Sequence, residues 1–265
     1  MTQPTFHRPH KRRPPNVVGL YGLALPSLFV AALFSTSTSF AAKAGLTLPN
    51  AVHATYKVYR SGILLGNVEE RFDRDGDRYK ITSTTRTEGP ISLLIREQLS
   101  ATSEGRISSA GLVPDVFTST RKSDSTKSFT SRFNWGKNEL VREHENPDVE
   151  GGIEKEVFTL PSGTQDRLSA MYQFMVTTPS TTSVSALMTQ GKQTERYQYR
   201  KQGEPTLSTR AGQFATVHYV REAVPGESTA EVWLAKEHNY IPVRVVFRDA
   251  KGTSLEQNLV ELSVR

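Results

Sequence analysis

The chain has 265 residues, with 33 Lys and Arg against 27 Asp and Glu, and no cysteine. The missing cysteine excludes a disulfide framework, a thiol nucleophile and a zinc–thiolate centre, and a domain of this length buries enough apolar surface to do without staples. The basic balance does not extend to the mature chain: the leader holds four cations and no acid, and taking four from 33 leaves 29 against 27. What remains is scattered among acids instead of massed on one face, so nucleic acid is not an expected partner.

The leader begins with Arg8, Lys11, Arg12 and Arg13 and turns apolar over residues 20–34, the order of a secretory signal peptide. That stretch is 15 residues long and contains Gly22 and Pro26, whereas a membrane-crossing helix takes roughly 20 apolar residues. An uncleaved anchor is the alternative, but the flanks suit cleavage, and no stable membrane span is expected afterwards. Small-x-small signals at Ser39-Phe40-Ala41 and Ala42-Lys43-Ala44 place cleavage after Ala41 or Ala44. Acylation of a leader cysteine is excluded, and Arg12-Arg13 is ordinary leader charge because two prolines follow it. The expected organisation is a signal peptide over 1–41, a short linker over 42–50 and one β-rich domain over 51–265, located in the periplasm of a Gram-negative bacterium.

From residue 51 onward the dominant period is two. Val52, Ala54, Tyr56 and Val58 alternate with His53, Thr55, Lys57 and Tyr59, the pattern of a half-buried strand. The alternation returns at Phe129, Ser131, Phe133 and Trp135, at Ala230, Val232 and Leu234, and at Val243, Val245 and Phe247. Turn residues separate the runs, among them Ser61-Gly62, Asp75-Gly76, Gly105, Gly111, Gly136-Lys137-Asn138, Gly203, Gly212 and Lys251-Gly252. Short alternating strands at such spacing predict a mainly β fold: a single antiparallel, strongly curved sheet or half-barrel of about ten strands. A short apolar turn follows Gly89-Pro90 at residues 91–95.

One segment departs from this period. Over residues 165–177, Leu168, Met171, Tyr172 and Met175 fall at i, i+3, i+4 and i+7, the stripe of an amphipathic helix packed on or in the sheet. Ser162 with Gln165 reads as its capping box and Pro179 as its end.

Tests for chemistry return little. His53, His144, His218 and His238 share no metal-ligand spacing. No Gly-x-Ser-x-Gly elbow and no phosphate-cradling glycine loop occurs. Asp73-Arg74-Asp75-Gly76-Asp77 has glycine fourth and Thr84 at the twelfth place, which fits an Asp-Gly hairpin turn better than a calcium loop. The pairs Glu69/Glu70 and Glu97/Glu104 read as solvated strand charges, not as a glycosidase dyad. Asp166 suits the positive helix end, and Arg167 is placed to reach a sheet carboxylate or a ligand headgroup. Trp233, Tyr240 and Arg244 gather in the late strands, where packing is the plain alternative to lining a mouth. The candidate ligand-binding residues are therefore Asp166, Arg167, Met171, Tyr172, Met175, Trp233, Tyr240 and Arg244, with no catalytic residue, metal or cofactor expected.

A set of short motifs gives the chain a family resemblance. They are Tyr56-Lys57-Val58 with Gly62 and Gly66, Ser103-Glu104-Gly105-Arg106 followed by Gly111-Leu112-Val113-Pro114, and Phe133-Asn134-Trp135. Gln165-Asp166-Arg167-Leu168-Ser169 with Tyr172-Gln173, Glu231-Val232-Trp233-Leu234-Ala235 and Tyr240-Ile241-Pro242-Val243-Arg244 complete the set. The chain resembles, over roughly residues 51–264, the bacterial exported domain-of-unknown-function family numbered 3108. At the level of fold it is also similar to the LolA/LolB-like lipoprotein carriers, whose curved antiparallel sheet is covered by helices. The resemblance implies a compartment and a shape but no catalytic residue.

Two functions compete, with an envelope hydrolase third. The first is a non-catalytic binding module whose apolar concavity beside the helix takes a lipid or a hydrophobic envelope segment, using Met171, Tyr172 and Met175 as adaptable lining. The second is an interaction protein with a solid core that joins an envelope assembly by its strand edges. A cavity of several hundred Å3 beside the helix separates the two, since ligand pockets run ~300 to 1,000 Å3. Ligand and oligomeric state are left open by the sequence.

Overall fold

The computed structural model describes residues 48–93, 96–176, 182–223 and 226–265, without the side chains of Ile91 and Leu93. The expected signal peptide and cleavage sites, most of the expected linker, part of the 91–95 turn and Pro179 lie outside the described residues.

The first arm of the fold is β1 (Ala51–Arg60), β2 (Ile63–Asp75), β3 (Arg78–Thr87), β4 (Gln98–Ser108), β5 (Gly111–Arg121), β6 (Phe129–Asn134), β7 (Glu139–Glu145) and β8 (Ile153–Thr159). A two-residue strand β9 (Thr164–Gln165) leads into the helix α1 (Arg167–Val176). The second arm is β10 (Ser183–Thr189), β11 (Thr194–Gly203), β12 (Thr206–Thr209), β13 (Gly212–Arg221), β14 (Thr229–Ala235), β15 (Ile241–Arg248) and β16 (Ser254–Val264).

Among the described residues all sixteen strands belong to one sheet, more than the ten or so expected. Its order runs from β8 down to β1, then β16 to β13, β11, β10 and β9, with β12 on β13. The sheet is therefore two meanders, zipped together where the first strand pairs with the last, Val52 opposite Val264 and Arg60 opposite Leu255. Pairing is antiparallel except for the short contact of β9 with β10. The Asp75-Gly76 turn joins β2 to β3 with Gly76 at φ 59°, as the hairpin reading requires.

The curvature has a local cause. Register shifts break the ladders between Thr55 and Tyr56, Val58 and Tyr59, Glu104 and Gly105, and Trp233 and Leu234, and each bulge bends its strand and adds twist. At Gly105 a side chain is excluded: a Cβ there would stand 2.1 Å from the Val113 carbonyl oxygen. The helix touches β3, β4 and β5 of one arm and β10 and β15 of the other, so the sheet wraps around it. The period-two pattern is realised along β1, where Val52, Ala54, Tyr56 and Val58 are buried and their alternates are not. Leu168, Tyr172 and Met175 of α1 enter a core with Phe72, Tyr79, Ile81, Leu112, Phe117 and Leu140.

The helix begins two residues later than expected and by a different cap. Ser162 is exposed outside it. The N-cap is Asp166, whose Oδ1 accepts from the Leu168 and Ser169 amides at 2.8 and 3.0 Å, while the Asp166 amide donates to Ser169 Oγ at 3.0 Å. That is a reciprocal capping box shifted along the chain.

Candidate functional site

The start of α1 is fixed from both sides. Ser103 of β4 donates to Asp166 Oδ2 at 2.6 Å, and the Tyr79 hydroxyl lies 3.2 Å from Ser103 Oγ. Burial raises the Asp166 carboxyl above its ordinary value, and the bonds from Ser103 and the Ser169 and Leu168 amides oppose that rise. Two glutamines fasten the helix to the β4–β5 hairpin: Gln165 Nε2 donates to the Leu112 carbonyl at 2.8 Å, and the Leu112 amide donates to Gln173 Oε1 at 2.7 Å. The motif residues around Asp166 are thus clamps. Asp166 itself is 1% exposed, and its carboxylate is taken up by the cap and by Ser103.

Inside the sheet, the Phe72 ring is stacked between those of Tyr79 and Tyr172, with centroids 6.4 and 5.8 Å away. Tyr172 donates to Glu70 Oε2 at 3.2 Å and Ser83 donates to Glu70 Oε1 at 3.3 Å. This corrects the expectation of a solvated strand charge at Glu70. The residue is half-buried as a whole, but its carboxylate end is enclosed by protein, and that enclosure raises its pKa while Arg167, Tyr172 and Ser83 pull it down. Tyr172 and Met175 are 1% and 0% exposed, so both are core residues and neither lines a surface.

Arg167 is half-buried, its guanidinium carbon 5.7 Å from the centroid of Phe117. Four residues on, Met171 lines a crevice of about 20 Å3 with Ala170, Phe174, Ala186, Met188, Tyr197, Tyr199 and Val232. The crevice is more than tenfold below the ~300 Å3 at which ligand pockets begin, so the concavity expected beside the helix stripe is replaced here by packed side chains.

Trp233 and Arg244 do meet, the guanidinium 5.1 Å from the ring centroid, but away from the helix. Val232 and Leu234 join Phe174 of α1 in one cluster, and Trp233 between them turns to the other face of β14. The His218 ring covers Trp233 at 4.0 Å, and Glu256 takes Arg244 at 2.9 Å. Tyr240, in the left-handed conformation at φ 54°, packs against the Phe174 cluster. The eight candidates therefore divide among three places: the helix start, the core and the outer stack.

The histidines occupy separate surroundings. His144 pairs with Arg142, Glu154 and Glu156 of β7 and β8, His218 with Glu231 and Trp233, and His238 with the Phe214 ring. Glu104 pairs with Lys80, and Asp166 is held as a cap. Among the described residues no three His, Cys, Asp or Glu side chains form a metal-binding group, and no helix is long and apolar enough to cross a membrane.

Sequence reasoning missed β8. Among the described residues it ends the sheet, paired with β7 alone. Its inward Glu154 and Glu156 serve Asn146, Arg142 and His144, while Ile153 and Val157 on the other face are 49% and 61% exposed. The signal was legible as an alternation of Ile and Val with Glu and Lys, yet nothing local marks a strand as the last in its sheet.

The fold is a strongly curved antiparallel sheet wrapped around one helix. The chain belongs to the DUF3108 family, described as a protein of unknown function, whose profile matches residues 55–260. No curated protein matches the chain. A beta-barrel-like protein of the domain of unknown function DUF1849 from Brucella abortus is similar in fold, with TM-score 0.51 and 11% identity over 83% of this chain and 100% of that one. A Bacteroides fragilis protein described as exported and of YmcC-like fold overlaps more loosely, with TM-score 0.33 and 11% identity over 81% and 96% of the two chains.

Proposed function

We propose that the protein is a non-catalytic interaction module, exported to the periplasm, that joins a cell-envelope assembly through the free edge of β8. The observation that carries this reading is a terminal strand with Ile153 and Val157 turned out to solvent. An edge strand presents unpaired N–H and C=O groups along its length, and a partner segment that adds beside it gains main-chain hydrogen bonds while apolar side chains set the fit. Export rests on the leader's charge-then-apolar order. A non-catalytic role is supported by the employment of Asp166 in a cap and by the dispersal of the histidines.

A photocrosslinking residue at Lys155, in cells producing the exported chain, is expected to trap one envelope protein. Replacing Ile153 and Val157 by Lys is expected to abolish the adduct while leaving stability within about 0.5 kcal/mol, as surface substitutions do. An unchanged adduct in that variant, or none in the unsubstituted chain, overturns the reading.

A second reading, in which the ligand is a hydrophobic segment or lipid, requires the crevice beside Met171 to open from its about 20 Å3. Stoichiometric lipid retained through purification and seen by native mass spectrometry would move the proposal to that surface.

A further inference from the structure

Arg167, half-buried at the start of α1, is a cation without a hydrogen-bond or ion-pair partner. Among the described residues, every lysine or arginine that is not exposed has a hydrogen bond or ion pair, with the exception of Arg167. Arg121 has Glu97 at 3.7 Å, Arg142 has Glu156 at 2.6 Å and Arg244 has Glu256 at 2.9 Å. Glu70 acts on Arg167 through space only. The Arg167 guanidinium lies over the Phe117 ring, a cation–π contact that supplies no hydrogen-bond acceptor. Stacking also leaves the five N–H groups in the guanidinium plane free for planar, bidentate acceptors.

A second observation points to the same place. Phe117 touches Phe129 at 5.9 Å, and Arg142 lies 4.8 Å over Phe129. Ser131 sits directly across from both Phe117 and Arg142. It is 0% exposed, and its hydroxyl has no partner; nor has Arg142 Nε. Buried polar groups are nearly always satisfied, so each exception asks for an explanation. Around one pair of aromatic rings the structure gathers a free guanidinium, a free guanidinium N–H and a free hydroxyl, all able to donate.

We propose that Arg167, with Arg142 and Ser131, recognises an oxyanion, the phosphate or carboxylate group of a ligand. Charge-assisted hydrogen bonds to such a group would satisfy all three. Arg167 and Met171 lie one turn apart on α1, so an amphiphile would set its head at Arg167 and its apolar part against the crevice. The β8 contact is read by crosslinking and stands or falls apart from this site.

Titration calorimetry on the exported chain, with inorganic phosphate and with monomeric dihexanoyl phosphatidylglycerol, tests the site. At least one probe is expected to bind, and Arg167→Gln to weaken it about tenfold or more, with Arg167→Lys recovering part of the loss. Equal affinity for the two probes identifies a free oxyanion, and roughly tenfold preference for the lipid identifies the headgroup of an amphiphile. If Arg167→Gln does not fold, by circular dichroism, Ser131→Ala takes its place and is expected to weaken binding severalfold. Binding of neither probe, or unchanged affinity in the folded variant, overturns the inference.

Discussion

Ser103 of β4 and Asp166 at the start of α1 are 63 residues apart in sequence and share a buried hydrogen bond of 2.6 Å. The same carboxylate caps the helix, so one side chain both starts α1 and fixes where it lands on the sheet. Asp166→Ala is expected to cost about 2 to 3 kcal/mol, the sum of a lost cap and an orphaned donor, and Ser103→Ala about 1 kcal/mol. Urea unfolding of the single and double variants measures the coupling. Strictly additive losses would mean the two groups do not act on each other.

Glu70 brings a pH dependence. Its folded pKa is raised above the ordinary 4.5, chiefly by burial, so the native state holds its proton to higher pH than the unfolded state does. Wherever the native state binds more protons, stability falls as pH rises. The wild type therefore loses stability relative to Glu70→Gln from about pH 4.5 upward, and the difference levels off above the folded pKa. Urea unfolding of both proteins at pH 4 and at neutral pH reads the difference, and an equal difference at the two pH values contradicts the assignment.

The Phe72 ring, 0% exposed between Tyr79 and Tyr172, is the centre of the packed interior. Phe72→Ala is expected to cost ~3 to 5 kcal/mol, a large part of the ~5 to 15 kcal/mol that keeps a domain folded. Phe72→Leu, which keeps most of the volume, is expected to cost less than half as much in the same thermal-unfolding assay. Equal losses would mean the site collapses without leaving a void.

Gly111 has φ 112°, and a Cβ there would stand 2.1 Å from Gln173 Nε2. Gly111→Ala is expected to cost about 2 kcal/mol, from backbone strain together with displacement of the glutamine from the Leu112 amide. In a Gln173→Ala background the same substitution is expected to cost only its strain component. A full cost in both backgrounds would remove Gln173 from the account.

Much of this architecture is legible in the sequence, because strand alternation and helical stripes are local consequences of which face is buried. Val52 to Val58 in β1 and Leu168 to Met175 in α1 declare their inner faces by spacing alone, and the motifs carry the family. The cap is not legible in the sequence, because Ser162 and Asp166 are equally good caps locally and only the hydroxyl of Ser103 distinguishes them. Glu70 and Glu69 are identical as sequence, yet the pleat turns one of them inward to Tyr172 and Ser83.

The sequence by itself determined a β-rich domain with one amphipathic helix, since hydrophobic period is a property of neighbouring residues. The tertiary structure alone decided that β1 pairs with β16, that β8 is left at the edge, that Trp233 and Arg244 stack away from the helix, and that Arg167 lies half-buried over Phe117 without an ion pair. These are long-range pairings, set by how sixteen bulged strands curve around one helix, and no local spacing encodes them.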